Sequence, residues 1–507
     1  MDHIKDKNVL ITGAAGGIGL CYTQNLLKNG AKTVSILDLK TSPGQTTAAN
    51  LEKEFGKGKA TFYPCDVSNV KEFAETFKKA INTMNGVDIV INNAGVLNDL
   101  LWEQTVNVNI GAVIQGSLLA IEHMGKHKGG KGGILVNIAS FLSLEYFSVC
   151  PVYCSSKHQV LAFSRCLEGN FERTGVRVLI LCPGVTGTPM LLDVDKKAFE
   201  FIDKEGLMNF LGSSVPQSPD NCGKAMVTLI QKGENGAIWL SENDKPPVAI
   251  EIPPIKKVQL NLVSHNLFRF PNAPTIVEIG FQMIAMIDIR ESAGKQAMDT
   301  LNAEFGKNRA IFFQCDVANN SEFDDTFKKA VLTLGSLEIL VNNAGVINES
   351  DFSQAINVNV TAVVRGTLLG IQQMQKDTGG KGGVIVNISS VAGLHALSQL
   401  PVYSATKHAV VSFSRSCAQP YHYQRTGVRI IVLCPEITQS SNDLPEGESL
   451  QKYHPQRVDS IAHGLVYVIR CAQNGSIWIS EDGKPVYEIQ LSDSLPLKPE
   501  EFSFNEI

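Results

Sequence analysis

The 507-residue chain has no dominant charge: 45 Lys and Arg stand against 50 Asp and Glu, a formal net charge of -5. Without a long basic run it lacks the electrostatic footprint of a nucleic-acid binder or of a protein held on anionic membranes. No segment approaches the roughly 20 apolar residues a membrane span requires. The start, MDHIKDKNVLITG, puts charges where a secretory leader needs an apolar stretch. Its 11 cysteines are odd in number, with no paired close spacing of the metal-binding kind, so neither a disulfide framework nor a zinc site is expected. These absences leave a soluble, cytoplasmic protein with no metal, no nucleic-acid partner and no membrane span. What is present is 44% hydrophobic residues, in a chain too long for one core, so two or more domains are expected.

The chain is written twice. NVNIGAVIQGSLLAIEHM from Asn107 returns as NVNVTAVVRGTLLGIQQM from Asn357, and GGKGGILVNIAS from Gly129 returns as GGKGGVIVNISS from Gly379. PVYCSSKH returns as PVYSATKH, carrying Tyr153 to Tyr403, the same shift that carries Asp66 to Asp316. The register slips by two only later, where Gly175 corresponds to Gly427, and both copies end alike, in NGAIWLSENDKPPVAIEIP and NGSIWISEDGKPVYEIQL. So long a period means duplicated domains rather than a solenoid. The boundary is placed at Pro253 and Pro254, giving domains 1–254 and 255–507.

Within the first copy, NVLITG, TVSILD, ATFYPCDV, VDIVINNAG, GGILVNIAS and VRVLILCPG read as buried strands ended by Gly, Asp or Pro. The stretches between them, VKEFAETFKKAINTM most clearly, repeat apolar residues at three- and four-residue spacing, as amphipathic helices do. Alternation of this kind predicts an α/β fold with a doubly wound parallel sheet in each copy. Ligands of such sheets bind beyond the carboxyl ends of the strands. Cys65 and Cys182, with their counterparts Cys315 and Cys434, close predicted strands and read as reduced core residues.

At the first strand–helix junction stands Thr12-Gly13-Ala14-Ala15-Gly16-Gly17-Ile18-Gly19. Glycines at 13, 17 and 19 allow a sharp turn and a close approach of a pyrophosphate to the N–H groups of the helix start, Ile18 among them. Asp38 closes the next strand, where a carboxylate accepts hydrogen bonds from both adenosine ribose hydroxyls and repels a 2′-phosphate, so NAD is favoured over NADP. Asp66 and Val67, after FYPC, are placed for the adenine. The second copy repeats the acidic strand end as Asp288.

TGxxxGIG, CDV, NNAG, a serine and YxxxK, in this order and spacing, resemble the classical short-chain dehydrogenases/reductases over residues 1–254 and about 275–490. The resemblance implies tandem Rossmann-type domains and hydride transfer between a nicotinamide and an alcohol or carbonyl. Carried over, it makes Tyr153 the general base, Lys157 the charge that favours phenolate and holds the nicotinamide ribose, and Ser140 the donor to the substrate oxygen. Asn109 matches the residue that holds a water in the proton relay; Asn93 and Gly95 pass close to the cofactor, and Thr186 and Thr188 resemble its carboxamide-side contacts. PVYCSSKH and NGAIW look like the NAD-dependent hydroxyprostaglandin dehydrogenases and insect-type alcohol dehydrogenases, which implies a secondary alcohol and its ketone as the small-molecule partners. Phe141, Phe147, Met190 and Leu191 suggest an apolar pocket. Two other readings remain: a non-catalytic binding or storage protein that keeps the fold, and an NADPH-dependent carbonyl reductase, for which Lys40 is the one supporting residue.

The second copy keeps Asn359, Ser390, Tyr403 and Lys407, but its nucleotide end departs from the pattern. Where the glycine loop should fall, at 263–269, the chain reads VSHNLFR, and Glu436 replaces the counterpart of Gly184. The second domain is therefore expected to bind NAD poorly and turn over little. Two accounts fit this loss. In one, the copy survives as a structural partner in an intramolecular pseudo-dimer or homo-oligomer, since the family pairs through long helices. In the other, two neighbouring genes were joined and a coding segment was lost.

Overall fold

The computed structural model describes residues 3–252, 256–257, 282–438, 455–491 and 497–501. The expected boundary at Pro253 and Pro254 and the stretch 263–269 lie outside these residues. The described residues form two compact units: those within Met1–Pro254, Ala396–Ala405 and Ser492–Ile507, and those within Ile255–His395 and Thr406–Leu491.

In the first unit the strands are β1 (Asn8–Thr12), β2 (Thr33–Asp38), β3 (Ala60–Pro64), β4 (Ile89–Asn92), β5 (Gly133–Ile138), β6 (Val176–Pro183), β7 (Ile238–Ser241) and β8 (Val248–Ile250). They lie in the order β3-β2-β1-β4-β5-β6-β7-β8, parallel from β3 through β7. The order reverses between β1 and β4, which opens a crevice beyond their carboxyl ends. Every residue of β1 and β4 is buried, as expected of parallel strands covered on both faces by helices. One departure from an all-parallel sheet is the edge, where β8 runs antiparallel to β7 and the segment Leu497–Glu501 runs antiparallel to β8.

The amphipathic stretch after Asp66 is a helix over Val70–Met84, capped by the Asn69 side chain, which accepts from the Glu72 N–H at 3.1 Å. It buries Phe73, Phe77, Ala80, Ile81 and Met84 on one face. A longer helix, Pro151–Glu168, carries Tyr153 and Lys157 and is buried along most of its length. A polar chain inside the core fixes its register on the sheet. The Asn92 amide donates to Asn137 Oδ1 at 2.8 Å, and Asn137 donates to Ser164 Oγ at 2.9 Å. Buried amides left unpaired would be costly, so this chain permits one alignment of β4, β5 and the helix. The second unit repeats it with Asn342, Asn387 and Ser414.

With β9 (Lys256–Lys257), the second unit holds β10 (Ile284–Asp288), β11 (Ala310–Gln314), β12 (Ile339–Asn342), β13 (Gly383–Ile388), β14 (Val428–Pro435), β15 (Ile477–Ser480) and β16 (Tyr487–Gln490). Among the described residues its strands pair in two sets, β10-β11 and β12-β13-β14-β15-β16-β9. By the repeat, β10 and β12 correspond to β2 and β4, and the counterpart of β1 would fall at 258–262, outside the described residues. β10 and β12 are half-buried throughout, whereas β2 is buried over its four central residues and β4 over all of it.

Candidate active site

At the turn after β1, Gly13 adopts φ +67°, and a Cβ there would stand 2.8 Å from the Ala94 Cα. The helix Gly17–Lys28 that follows starts without a side-chain cap. Among the described residues the N–H groups of Gly17, Ile18 and Gly19 donate to no other residue of the chain. Nothing lies within 4 Å of a Cβ placed on Gly16, and only Thr188 Cγ2, at 3.8 Å, approaches one on Gly17. Free donors, a helix dipole and open space together make a cradle for an anion. Gly19 serves differently: a Cβ there would meet the Gly13 carbonyl and stand 2.6 Å from Asn93 Nδ2. Gly19→Ala should therefore destabilise the first unit by roughly 1–3 kcal/mol, as overpacking does. Thermal unfolding of the variant checks this.

Asp38 sits beside the cradle. Its carboxylate accepts from the Ala15 N–H at 2.9 Å and from the Leu39 N–H at 2.7 Å, which ties the glycine turn to the end of β2. The Cys65 N–H donates to the Asp38 carbonyl at 2.7 Å, bringing Asp66 and Val67 next to it. Asp66 Oδ1 accepts from both the N–H and the hydroxyl of Ser68, at 2.9 and 2.7 Å.

Asn93 is engaged with the protein itself. Its Nδ2 donates to the carbonyls of Thr12 and Gly13 at 3.0 and 2.9 Å, latching the glycine turn to the loop after β4. Thr12 Oγ1 accepts from the N–H groups of Asn93 and Ala94, a second tie across the same place. Gly95 follows two residues later in this loop, where a Cβ would stand 3.4 Å from Asn109 Oδ1 and 3.5 Å from Lys157 Nζ.

Asn109 lies in a widened π turn, Asn107–Gly111. Its Oδ1 accepts from the Val96 N–H at 2.8 Å, and its Nδ2 donates to the Val96 carbonyl at 2.9 Å and to Ser156 Oγ at 3.0 Å. Both amide protons are thus used within the chain. Ser140, just past β5, stands near Tyr153, whose phenol is buried. Burial pushes the phenol's pKa up, and the neighbouring Ser140 side chain acts in the opposite direction. Lys157 Nζ stands 5.8 Å from the centroid of the Tyr153 ring and donates to the Ile138 carbonyl at 3.0 Å. Burial pushes its pKa down to about 8. Ser140, Tyr153, Lys157, Gly95 and Asn109 therefore meet at one place.

Thr186 and Thr188 divide. The Thr186 hydroxyl donates to the Gly184 carbonyl at 2.9 Å and accepts from Gln217 Nε2 at 3.1 Å, so it holds the turn after β6. Thr188 faces the glycine cradle. Beyond Ser140, Phe210 of the helix Lys204–Ser213 stacks on Phe141 at 6.3 Å and meets Phe147 at 4.8 Å between ring centroids. Met190 and Leu191 occupy a short turn, Pro189–Leu191. The sequence signals gave no reason to single out Phe210, Gln217, Thr12 or Asp99. Only for Asp99 was there a hint: the Tyr153 helix opens Cys-Pro-Val-Tyr, with no Ser, Thr, Asp or Asn to cap it.

The second copy of the sequence preserves part of this arrangement. Asn359 is clamped to Val346 and Thr406, and Lys407 donates to the Ile388 carbonyl at 3.2 Å with its pKa again pushed down to about 8 by burial. Ser390 follows β13, and Tyr403 lies on the helix Pro401–Cys417, four residues before Lys407. Glu436 takes the place of Gly184; burial, with Asp482 and Glu481 nearby, pushes its carboxyl pKa up. Cys65, Cys182, Cys315 and Cys434 are buried and unpaired. No helix among the described residues is long and apolar enough to cross a membrane.

Known proteins resemble the chain at the level of one copy. A 15-hydroxyprostaglandin dehydrogenase (NAD(+)) of Rattus norvegicus is 38% identical over 245 residues, covering 46% of this chain and 91% of that protein. The Homo sapiens protein of the same name is 35% identical over 242 residues, covering 46% and 91%. Alcohol dehydrogenase 1 of Ceratitis capitata is 35% identical over 237 residues, again covering 46% and 91%. The family model described as short chain dehydrogenase matches residues 7–198 and, a second time, 272–449. The chain belongs to the short-chain dehydrogenase family and carries its domain twice.

Proposed function

We propose that the first unit oxidises a secondary alcohol to its ketone with NAD, and that the second contributes little or no turnover. The observation that carries the reading is the meeting of a buried phenol, its serine partner and a buried ammonium beside an anion cradle. Membership of the family supports an oxidoreductase acting on alcohols, and the likeness to hydroxyprostaglandin and alcohol dehydrogenases supports the secondary-alcohol class. A cytoplasmic setting belongs to the same proposal, supported by 11 cysteines of which none forms a disulfide.

The dinucleotide would be held by the N–H groups of Gly17, Ile18 and Gly19, by Asp38 at the ribose, by Asp66 and Val67 at the adenine, and by Gly95, Lys157 and Thr188 toward the nicotinamide. When bound it accepts the hydride from the alcohol carbon. Ser140 donates to the alcohol oxygen and orients it. Tyr153 takes the hydroxyl proton, for which the phenol must first ionise against the effect of burial. Lys157 supplies the charge that favours this, and it keeps two ammonium protons beyond the one given to Ile138 for the ribose hydroxyls. Because both amide protons of Asn109 are used within the chain, its part in a proton relay would fall to its backbone carbonyl. Phe141, Phe147 and Phe210 give the alcohol an apolar seat.

The cofactor preference is open to direct measurement. The Asp38 carboxylate, already directed at the glycine turn, should disfavour a 2′-phosphate by at least about tenfold, the effect of roughly 1.4 kcal/mol. Initial rates with NAD and with NADP check this, and equal use would sink the NAD reading. Absence of any NADH binding in a fluorescence titration would favour a binding or storage role instead.

A further inference from the structure

The helix that carries Tyr153 begins with an incomplete set of local hydrogen bonds. Its cap residue, Cys150, offers no side-chain bond, and Pro151, the first helical residue, has no N–H. The Cys154 N–H reaches the Cys150 carbonyl at 2.8 Å. The two remaining donors of the first turn, Val152 and Tyr153, both go to a residue more than 50 positions away: the Val152 N–H to Asp99 Oδ2 at 2.9 Å and the Tyr153 N–H to Asp99 Oδ1 at 3.0 Å.

Asp99 is 1% exposed, and among the described residues no cation pairs with it. Burial pushes its pKa up to about 7, against the two backbone bonds that act to lower it. A buried carboxylate with no counter-charge is an expensive way to cap a helix, since a serine at position 150 would meet the same N–H groups locally. What Asp99 adds is a connection. It belongs to the loop after β4 whose other end, Asn93, is latched to the glycine turn and whose middle, Val96, is clamped to Asn109. The second copy writes Glu349, also a carboxylate, at the corresponding position.

We propose that Asp99 is a positioning residue, which fixes the Tyr153 end of the helix to the loop that also holds the glycine turn and so sets the distance between the base and the cofactor. The inference rests on the dehydrogenase reading of the first unit. It acts through Tyr153 and touches neither substrate nor dinucleotide.

The test separates positioning from simple capping in the full chain. Asp99→Ala should lower kcat by about a hundredfold, the scale of a misplacement of about 1 Å at a reacting group, while the NADH dissociation constant stays within about twofold. Adding Cys150→Ser supplies a local cap, and the double variant should recover thermal stability without recovering kcat. Recovery of both would show that Asp99 only caps the helix, and the proposal would fall. Should Asp99→Ala not fold, Asp99→Asn, which keeps the volume and one acceptor, replaces it with the same readings. An active wild type with an unimpaired Asp99 variant overturns this proposal alone. A wild type that oxidises no secondary alcohol overturns the dehydrogenase reading and takes this one with it.

Discussion

Tyr153→Phe in the intact chain is expected to lower NADH formation from a secondary alcohol by about 10²–10⁴-fold, the usual worth of a positioned acid–base group. The substitution removes one oxygen and keeps the ring, so the packing of the helix Pro151–Glu168 is untouched and the stability change should stay near 1 kcal/mol. The substrate loses its base, and Ser140 keeps the bond that its hydroxyl accepts from the Leu142 N–H. The matching change in the second copy, Tyr403→Phe, should leave the rate unaltered, because that copy reads VSHNLFR where the glycine turn would stand. Initial-rate kinetics on the two variants side by side decides the matter. A Tyr153→Phe chain that keeps a sizeable rate would mean that the second unit binds NAD without a glycine turn.

The strands were legible because parallel strands buried on both faces must be continuous runs of Val, Ile and Leu, and NVLIT, IVIN and GILVNI are such runs. Repetition made the second unit legible by register, down to the left-handed Gly175 and Gly427, at φ +64° and +67°. The antiparallel edge was less so, since three-residue Val248–Ile250 is too short to carry a period. The half-burial of Ile284–Asp288 and Ile339–Asn342 is a property of packing that no local pattern contains.

In the site, legibility followed how far a residue's role depends on its neighbours in sequence. Tyr153 and Lys157 stand four apart on one helix face, and Gly13, Gly17 and Gly19 frame one turn, so spacing alone brings them together. Asn109 was found as a member of the constellation, but the use of its side chain was not, because its partner Val96 offers only backbone groups. Thr186 is expected near the cofactor from its place after CPG, but the bond its hydroxyl makes with Gln217 has no signal in the sequence. Asp99 reaches Tyr153 from the loop after β4, and a lone Asp in a loop has no spacing to betray it.

Lys157→Met should show that the site is held at a cost in stability. The folded lysine has its pKa lowered to about 8 from 10.5 by burial. Below about pH 8 the side chain is charged in both the folded and unfolded chain, and the full cost of burying the charge is present. Between about 8 and 10.5 the unfolded lysine holds more protons than the folded one, so stability rises with pH across this window, and above it the cost is gone. At pH 7 the shift corresponds to roughly 3 kcal/mol at about 1.4 kcal/mol per pKa unit. Leaving the Ile138 carbonyl without its donor takes back about 1–2 kcal/mol of that. Met fills a similar volume without a charge, so the variant should be more stable than the wild type at pH 7 by about 1–2 kcal/mol, with the difference shrinking as the pH approaches 10. Its turnover should nonetheless fall by about 10²-fold or more, because no ammonium remains to favour phenolate at Tyr153. Thermal melts at several pH values, read beside initial rates, test both halves. A variant that is less stable than the wild type at pH 7 would mean that the bond to Ile138 outweighs the buried charge, and that the lysine serves the fold as well as the chemistry.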